Sequence, residues 1–159
     1  MARQYFGQPN LYSDPHEMPD LKLLALDSED LGVIAATTQD AVVRVADMGY
    51  AKTDRRFALL MNRYAWEESG RQGQRKRAAL HFDRVNSAQV AGIDTNAVEG
   101  VLELLTITYE PTSGDDPAGT VELRFAGGGT VRLDVECLEA RLQDLGAAWA
   151  AKLKPEHAT

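Results

Sequence analysis

One cysteine, Cys137, stands in 159 residues, which excludes an internal disulfide and any metal site built from several thiolates. Long apolar runs are missing too. None approaches the roughly 20 residues of a spanning helix. The start, Met1-Ala2-Arg3-Gln4-Tyr5-Phe6-Gly7, lacks the apolar core of a signal peptide. Basic residues are the minority, 17 against 24 acidic ones, for a net charge of -7. That balance disfavours binding nucleic acid or an anionic membrane through the surface as a whole. What is present is an apolar content of 44%, too high for a disordered chain. The expectation is a single cytoplasmic domain that buries about 70% of the surface its unfolded chain would expose. Composition names no activity.

The charge is uneven. From Lys52 to Arg84 nine basic residues face four acidic ones, a local balance of +5, which leaves -12 for the rest. A basic region on an acidic protein points to an organised surface.

Residues 1–20 hold three prolines with Gly7, Asn10, Asp14 and Asp20 and follow neither a helical nor a strand period; they read as an irregular N-terminal arm. Its Tyr5, Phe6, Leu11, Tyr12 and Met18 are apolar enough to dock on the domain or on a second subunit. A single domain is expected over 21–153 and a polar tail over 154–159. Leu21 to Leu26 reads as a short strand. Asp27 is a good helix N-cap, with Asp30 at the position of a capping box and Leu26 and Leu31 spaced as a hydrophobic staple. Leu31, Ile34, Ala35 and Thr38 would share one face of this helix, which is expected to end near Asp40.

The period then drops from 3.6 to 2. Val43, Val45 and Tyr50 belong to a strand with an irregularity near Asp47-Met48-Gly49. Lys52 to Arg55 is a turn, and Phe57, Leu59 and Met61 alternate in a strand running on to Trp66. A polar loop precedes a strand with Leu80 and Phe82 that continues, bent, through Val85 and Val90. Val101 to Tyr109 is rich in β-branched residues. Val121, Leu123 and Phe125 alternate, as do Val131, Leu133 and Val135. Gly127-Gly128-Gly129 between them suits a tight hairpin. Leu138, Leu142, Leu145 and Trp149 recur at i, i+4, i+7 and i+11, one stripe of a closing helix. The expected class is therefore α+β. Six or seven antiparallel strands form a strongly bent sheet or partly open, pleckstrin-homology-like barrel, with an N-terminal helix and a C-terminal capping helix; a flat sheet with both helices on one face is the alternative.

Three stretches carry a family resemblance: Leu23-Leu24-Ala25-Leu26-Asp27 leading to Gln39-Asp40-Ala41-Val42-Val43; Arg56-Phe57-Ala58-Leu59 through Asn62-Arg63-Tyr64-Ala65-Trp66-Glu67; and Gly127-Gly128-Gly129-Thr130-Val131-Arg132-Leu133 running into Glu136-Cys137-Leu138-Glu139-Ala140-Arg141-Leu142. Over about residues 21 to 150 the chain resembles a bacterial family known as domain of unknown function 2948. The resemblance implies a small stand-alone cytoplasmic protein and brings no activity, cofactor or site residue with it.

Candidate chemistry centres on the basic segment. Arg71, Arg75, Lys76 and Arg77 with Gly73 make a strand-connecting loop able to hold a phosphate or an acidic protein segment, because guanidinium forks match paired oxygens. The plain alternative is a solvated loop. Arg55, Arg56 and Arg63 extend the region. Arg63 falls on the strand face of Phe57 and Leu59, so it either sits at an edge or pairs with a buried carboxylate. Tyr64 and Trp66 would supply the stacking of a single-strand nucleic-acid surface, although they also keep step with Leu60 and so with a core face; the net charge weighs against that partner. His81 and Asp83 share a strand face and offer half of a base-and-orienter pair or of a metal site, or simply a polar outer face. His16 and His157 lie in the tails. Cys137 is either a nucleophile beside a helix start or a buried structural cysteine. Asp115-Asp116 before Pro117 is turn chemistry. No cofactor or metal ligand set is expected. The leading function is a non-catalytic binding or adaptor domain; the alternatives are a small enzyme around His81 and Asp83 and a single-stranded nucleic-acid binder. The apolar arm and the sheet edges also make a homodimer compatible with the sequence.

Overall fold

A computed structural model describes residues 3–4, 20–65 and 75–146 of the chain. Asp27 begins the ordered helix as its sequence position dictates: its Oδ1 accepts from the Asp30 amide at 2.8 Å, and the Leu31 amide donates to the Asp27 carbonyl. The helix, α1 (Ser28–Thr37), buries Leu31 and Ile34 and stops where Thr38 and then Asp40, at φ 65°, leave helical geometry. Leu26 is 43% exposed, so the expected staple is not closed.

The remainder is strand: β1 (Arg3–Gln4), β2 (Lys22–Ala25), β3 (Val42–Arg44), β4 (Met48–Ala51), β5 (Arg56–Tyr64), β6 (Arg75–Phe82), β7 (Val85–Ala91), β8 (Val101–Pro111), β9 (Gly119–Phe125), β10 (Thr130–Val135) and β11 (Ala140–Asp144). The irregularity expected in the first half is a turn of 3-10 helix, Val45–Asp47, between β3 and β4. Ten strands form one path, β1-β2-β11-β6-β5-β3-β8-β9-β10-β7, and β4 pairs β5 beside β3. Every pairing is antiparallel. Among the described residues that is eleven strands, ten of them on the path, in place of the six or seven expected.

The sheet is bent and open. β7 ends the path, while β6 lies fourth from the other end. Only Asp83 and Arg84 join them, and two extended residues span about 7 Å, so the far end of the sheet has to curl back to β6. Arg84 takes φ 57° at this corner. The Val85 amide donates to the Arg55 carbonyl at 2.8 Å and the Glu136 amide to the Arg84 carbonyl at 2.9 Å. Inside the curl lie Phe57, Leu59, Met61, Leu80, Phe82, Leu123, Phe125, Leu133 and their neighbours, each almost fully buried. Each such side chain contributes about 1.5–3 kcal/mol.

Among the described residues the expected closing helix does not appear. Ala140–Asp144 instead joins the sheet as β11; Leu138, Ala140, Leu142 and Asp144 are buried and Arg141 and Gln143 exposed. β11 is inserted between β2 and β6. A spacing of four is even, so Leu138 and Leu142 share a strand face as readily as a helix face. The pleckstrin-homology-like arrangement rested on that helix and loses its support; Trp149 lies outside the described residues. The cover for the core comes from α1, which packs against β2 and β8. No helix among the described residues is long and apolar enough to cross a membrane.

Candidate functional site

The period-2 alternation of β5 decides where its arginines go. Phe57, Leu59, Met61 and Arg63 face inward; Arg56, Ala58, Leu60, Asn62 and Tyr64 face outward. In register with them on β6 stand, on the outer side, Arg75, Arg77, Ala79 and His81, and on β11 Arg141 and Gln143. Tyr64 therefore lies on the outer face with Leu60, not on the core face; Trp66 is outside the described residues.

The seven candidate cations divide. Arg63 is fully buried and forms a fork with Asp144, Nε to Oδ1 at 2.7 Å and Nη2 to Oδ2 at 2.8 Å. The Leu21 amide also donates to Asp144 Oδ2, at 3.1 Å. This is the buried carboxylate that Arg63 needed, supplied from 81 residues away, and it takes Arg63 out of contact with solvent. Lys76 pairs with Arg63 in the register and so sits on the inner side at the end of the sheet. Arg55 lies in the β4–β5 turn at φ 52°, where Nη2 donates to Asn86 Oδ1 and to Glu136 Oε2. Arg71 is outside the described residues. Arg56, Arg75 and Arg77 share the outer face.

Each of those three is already oriented. Arg56 Nε donates to Asp83 Oδ1 at 2.7 Å. Arg77 Nη2 donates to Asp47 Oδ2 at 3.2 Å, and Arg44 Nε reaches the same oxygen at 3.1 Å. Burial pushes the Asp47 carboxyl upward, but the hydrogen bonds and charges of Arg44 and Arg77 outweigh it and hold the group below the usual range. Arg75 Nη1 donates to the Asn62 carbonyl at 3.2 Å, and its guanidinium lies 5.9 Å from the centre of the Tyr64 ring, within cation–π range.

His81 stands in the same field. Its Nδ1 is 3.2 Å from Asp83 Oδ2, out of line for a well-formed hydrogen bond. Burial lowers its pKa, and the Arg56 and Arg141 charges add to that against the pull of Asp83. The imidazole is thus held neutral on an open sheet face, flanked across the strands by Ala58 and Arg141. Cys137 is half-buried, and burial pushes the nearby Tyr109 hydroxyl up. No cluster of three metal-ligating side chains occurs among the described residues.

Between the outer arginines the floor is small. On the outer face Gly49 of β4 pairs with Ala58 of β5, which has His81 of β6 on its other side, while Ala51 pairs with Arg56 and Ala79 of β6 with Leu60. A shallow depression of about 490 Å³ runs over Gly49, Ala51, Ala58 and Leu60, between Asp47 and Arg56. The outer face of the other half of the sheet is built differently. Thr106, Thr108, Thr120, Glu122, Arg124, Thr130, Arg132 and Asp134 alternate outward, with Arg124 bound to Glu122 and Ser87 to Asp134. That is an ordinary solvated face. A wider depression there, about 670 Å³, opens beside Gly127–Gly129, which carry the tight hairpin at φ 88° and 96° for the first two.

The sequence missed Arg141 and the small floor. Arg141 was hidden by the helical reading of its segment, and Gly49, Ala51, Ala58 and Ala79 come together only once the register is known. No curated protein and no solved structure matches the chain. The family described as protein of unknown function (DUF2948) matches residues 21–157. By that match, which covers most of its length, the chain belongs to the DUF2948 family.

Proposed function

We propose that the protein is a binding module that takes an acidic, extended protein segment across the outer face of β4, β5, β6 and β11. The observation that carries this reading is the projection of Arg56, Arg75, Arg77 and Arg141 from three neighbouring strands onto one face of a chain whose net charge is -7. The acidic side chains Asp47 and Asp83 on that face hold Arg77 and Arg56 in place. The floor of Gly49, Ala51, Ala58 and Ala79 lets a second backbone come close. Its shallowness suits an extended chain better than a small molecule, which needs a cavity that buries most of it. Aspartate and glutamate side chains of the segment would meet the guanidinium groups at the rim, where paired oxygens match the fork. The same charge complementarity serves association rate and partner choice more than raw affinity.

The test is fluorescence anisotropy with a labelled ten-residue glutamate-rich peptide and its glutamine counterpart. Wild type is expected to bind the acidic peptide, more weakly as salt rises. The Arg75→Gln/Arg77→Gln/Arg141→Gln variant is expected to lose about tenfold or more in affinity, as roughly 1.4 kcal/mol per tenfold would require for three rim charges. Equal affinity for the two peptides, or no change in the variant, would overturn the reading.

A further inference from the structure

Among the described strands, β4 and β7 are the two that contain no charged residue, and each keeps one edge unpaired: β4 bonds only β5, and β7 only β10. A free edge is a row of unsatisfied amides and carbonyls, and charged side chains are the usual guard against a second strand docking there. At the opposite end of the sheet β1 is laid along β2. β7, seven residues long, has no charge and, among the described strands, no neighbour beyond β10.

Its side chains carry the point further. Ala88 and Val90 face the core side, in register with Leu133 and Val131 of β10. Those two partners are fully buried, yet Val90 is 42% exposed, because none of the described strands lies beyond it. The core face is unfinished along this edge. At one end the edge is already used: the Val85 amide donates to the Arg55 carbonyl, and the Val85 carbonyl accepts from the Tyr50 hydroxyl at 2.7 Å. Asn86 to Ala91 remain.

We propose that β7 is a dimerisation edge, which pairs antiparallel with β7 of a second copy about a two-fold axis through Gln89. Such an axis stands perpendicular to the sheet and leaves directly opposed residues on the same face, so the register has to centre on a residue. Centring on Gln89 sets Ala88 against Val90 of the second copy on the core side. It sets Ser87 against Ala91, and the two Gln89 side chains against each other, on the outer side. Val85 keeps Tyr50 and Arg55. Centring on Ala88 would instead demand Val85 as a pairing residue and cost those two bonds. A second copy fits because the seam is self-complementary: apolar meets apolar, amide meets amide, and no charge is buried. Two chains of net charge -7 repel at long range, and an uncharged seam adds nothing to that repulsion.

Sedimentation equilibrium of the full chain is expected to give twice the chain mass at micromolar loading. Val90→Lys and Ser87→Lys are each expected to return it to the chain mass with an unchanged far-ultraviolet circular dichroism spectrum. A second variant fixes the register: Gln89→Cys in a Cys137→Ser background is expected to form a disulfide-linked dimer on oxidation. Asn86→Cys in the same background is expected not to, since its two copies would lie six residues, roughly 20 Å, apart along the seam. A wild-type chain that stays monomeric at every loading, a dimer that survives both lysine variants, or cross-linking through residue 86 and not 89 would overturn the proposal.

Discussion

Arg63 and Asp144 form a fork with both side chains essentially out of solvent. Two charges desolvated together stabilise little in net terms, but removing one strands the other in the interior, at about 3–5 kcal/mol. Asp144→Ala is accordingly expected to lower the unfolding free energy by that amount in urea titration. Arg63→Met/Asp144→Leu, which removes both charges, should recover most of the loss. His81 gives a second test at this scale. Its pKa in the folded chain lies below 6.5, so between the two values the unfolded chain holds more protons and stability rises with pH. As pH falls below about 6.5 the unfolded chain protonates first, and the fold weakens until the lowered value is passed. The groups facing the ring are Asp83, Arg56 and Arg141. In His81→Gln the slope of stability just below about pH 6.5 should flatten; an unchanged slope would put the effect elsewhere.

At the scale of the element, period-2 alternation made most of the sheet legible. β5, β9 and β10, the glycine hairpin, the β6–β7 bend and the cap of α1 all follow from side-chain patterns a few residues long. β11 did not, and one residue explains why. Its buried positions are Leu138, Ala140, Leu142 and Asp144, and the last is a carboxylate that reads as surface until its arginine is found. Without it the alternation shrinks to Leu138, Ala140 and Leu142, whose two leucines four apart suit a helix as well. Arg63 shows the complementary case: its burial was legible from its strand face, while its partner, 81 residues on, was not. For the candidate site, Arg56, Arg75 and Arg77 were visible as a basic run, but the face they share depends on register. Two substitutions probe elements directly. Asp27→Ala removes the α1 cap and should cost about 1 kcal/mol. Gly119→Ala would put a Cβ 2.5 Å from the Glu110 carbonyl oxygen and from the Tyr109 ring. It should destabilise by roughly 2 kcal/mol or more through overpacking, read as a fall in the denaturation midpoint.

The whole molecule separates its two outer faces. One half of the sheet shows threonines and balanced charge to water, while the other shows small residues ringed by arginines. An acidic chain thus concentrates its positive charge where the opposite half has no use for it. The N-terminal arm contributes two residues of strand at the β2 edge, and the core residues begin at Leu23. Deleting residues 1–19 is therefore expected to keep a single cooperative urea transition. A broad or split transition would make the arm part of the folding unit.

The position of β11 has a consequence in time. Leu142 pairs with Leu23 on one side and Leu80 on the other, so the last of the described strands to be synthesised fills a slot between the second and the sixth. Until it arrives, β2 and β6 each lack a neighbour, and contacts separated by more than a hundred residues have to wait. Loop closure of that span precedes its reward, which makes folding slow for the chain's size. The nascent protein therefore completes this sheet only after β11 has been made, and any truncation that reaches Asp144 removes an inner strand of the sheet rather than an edge.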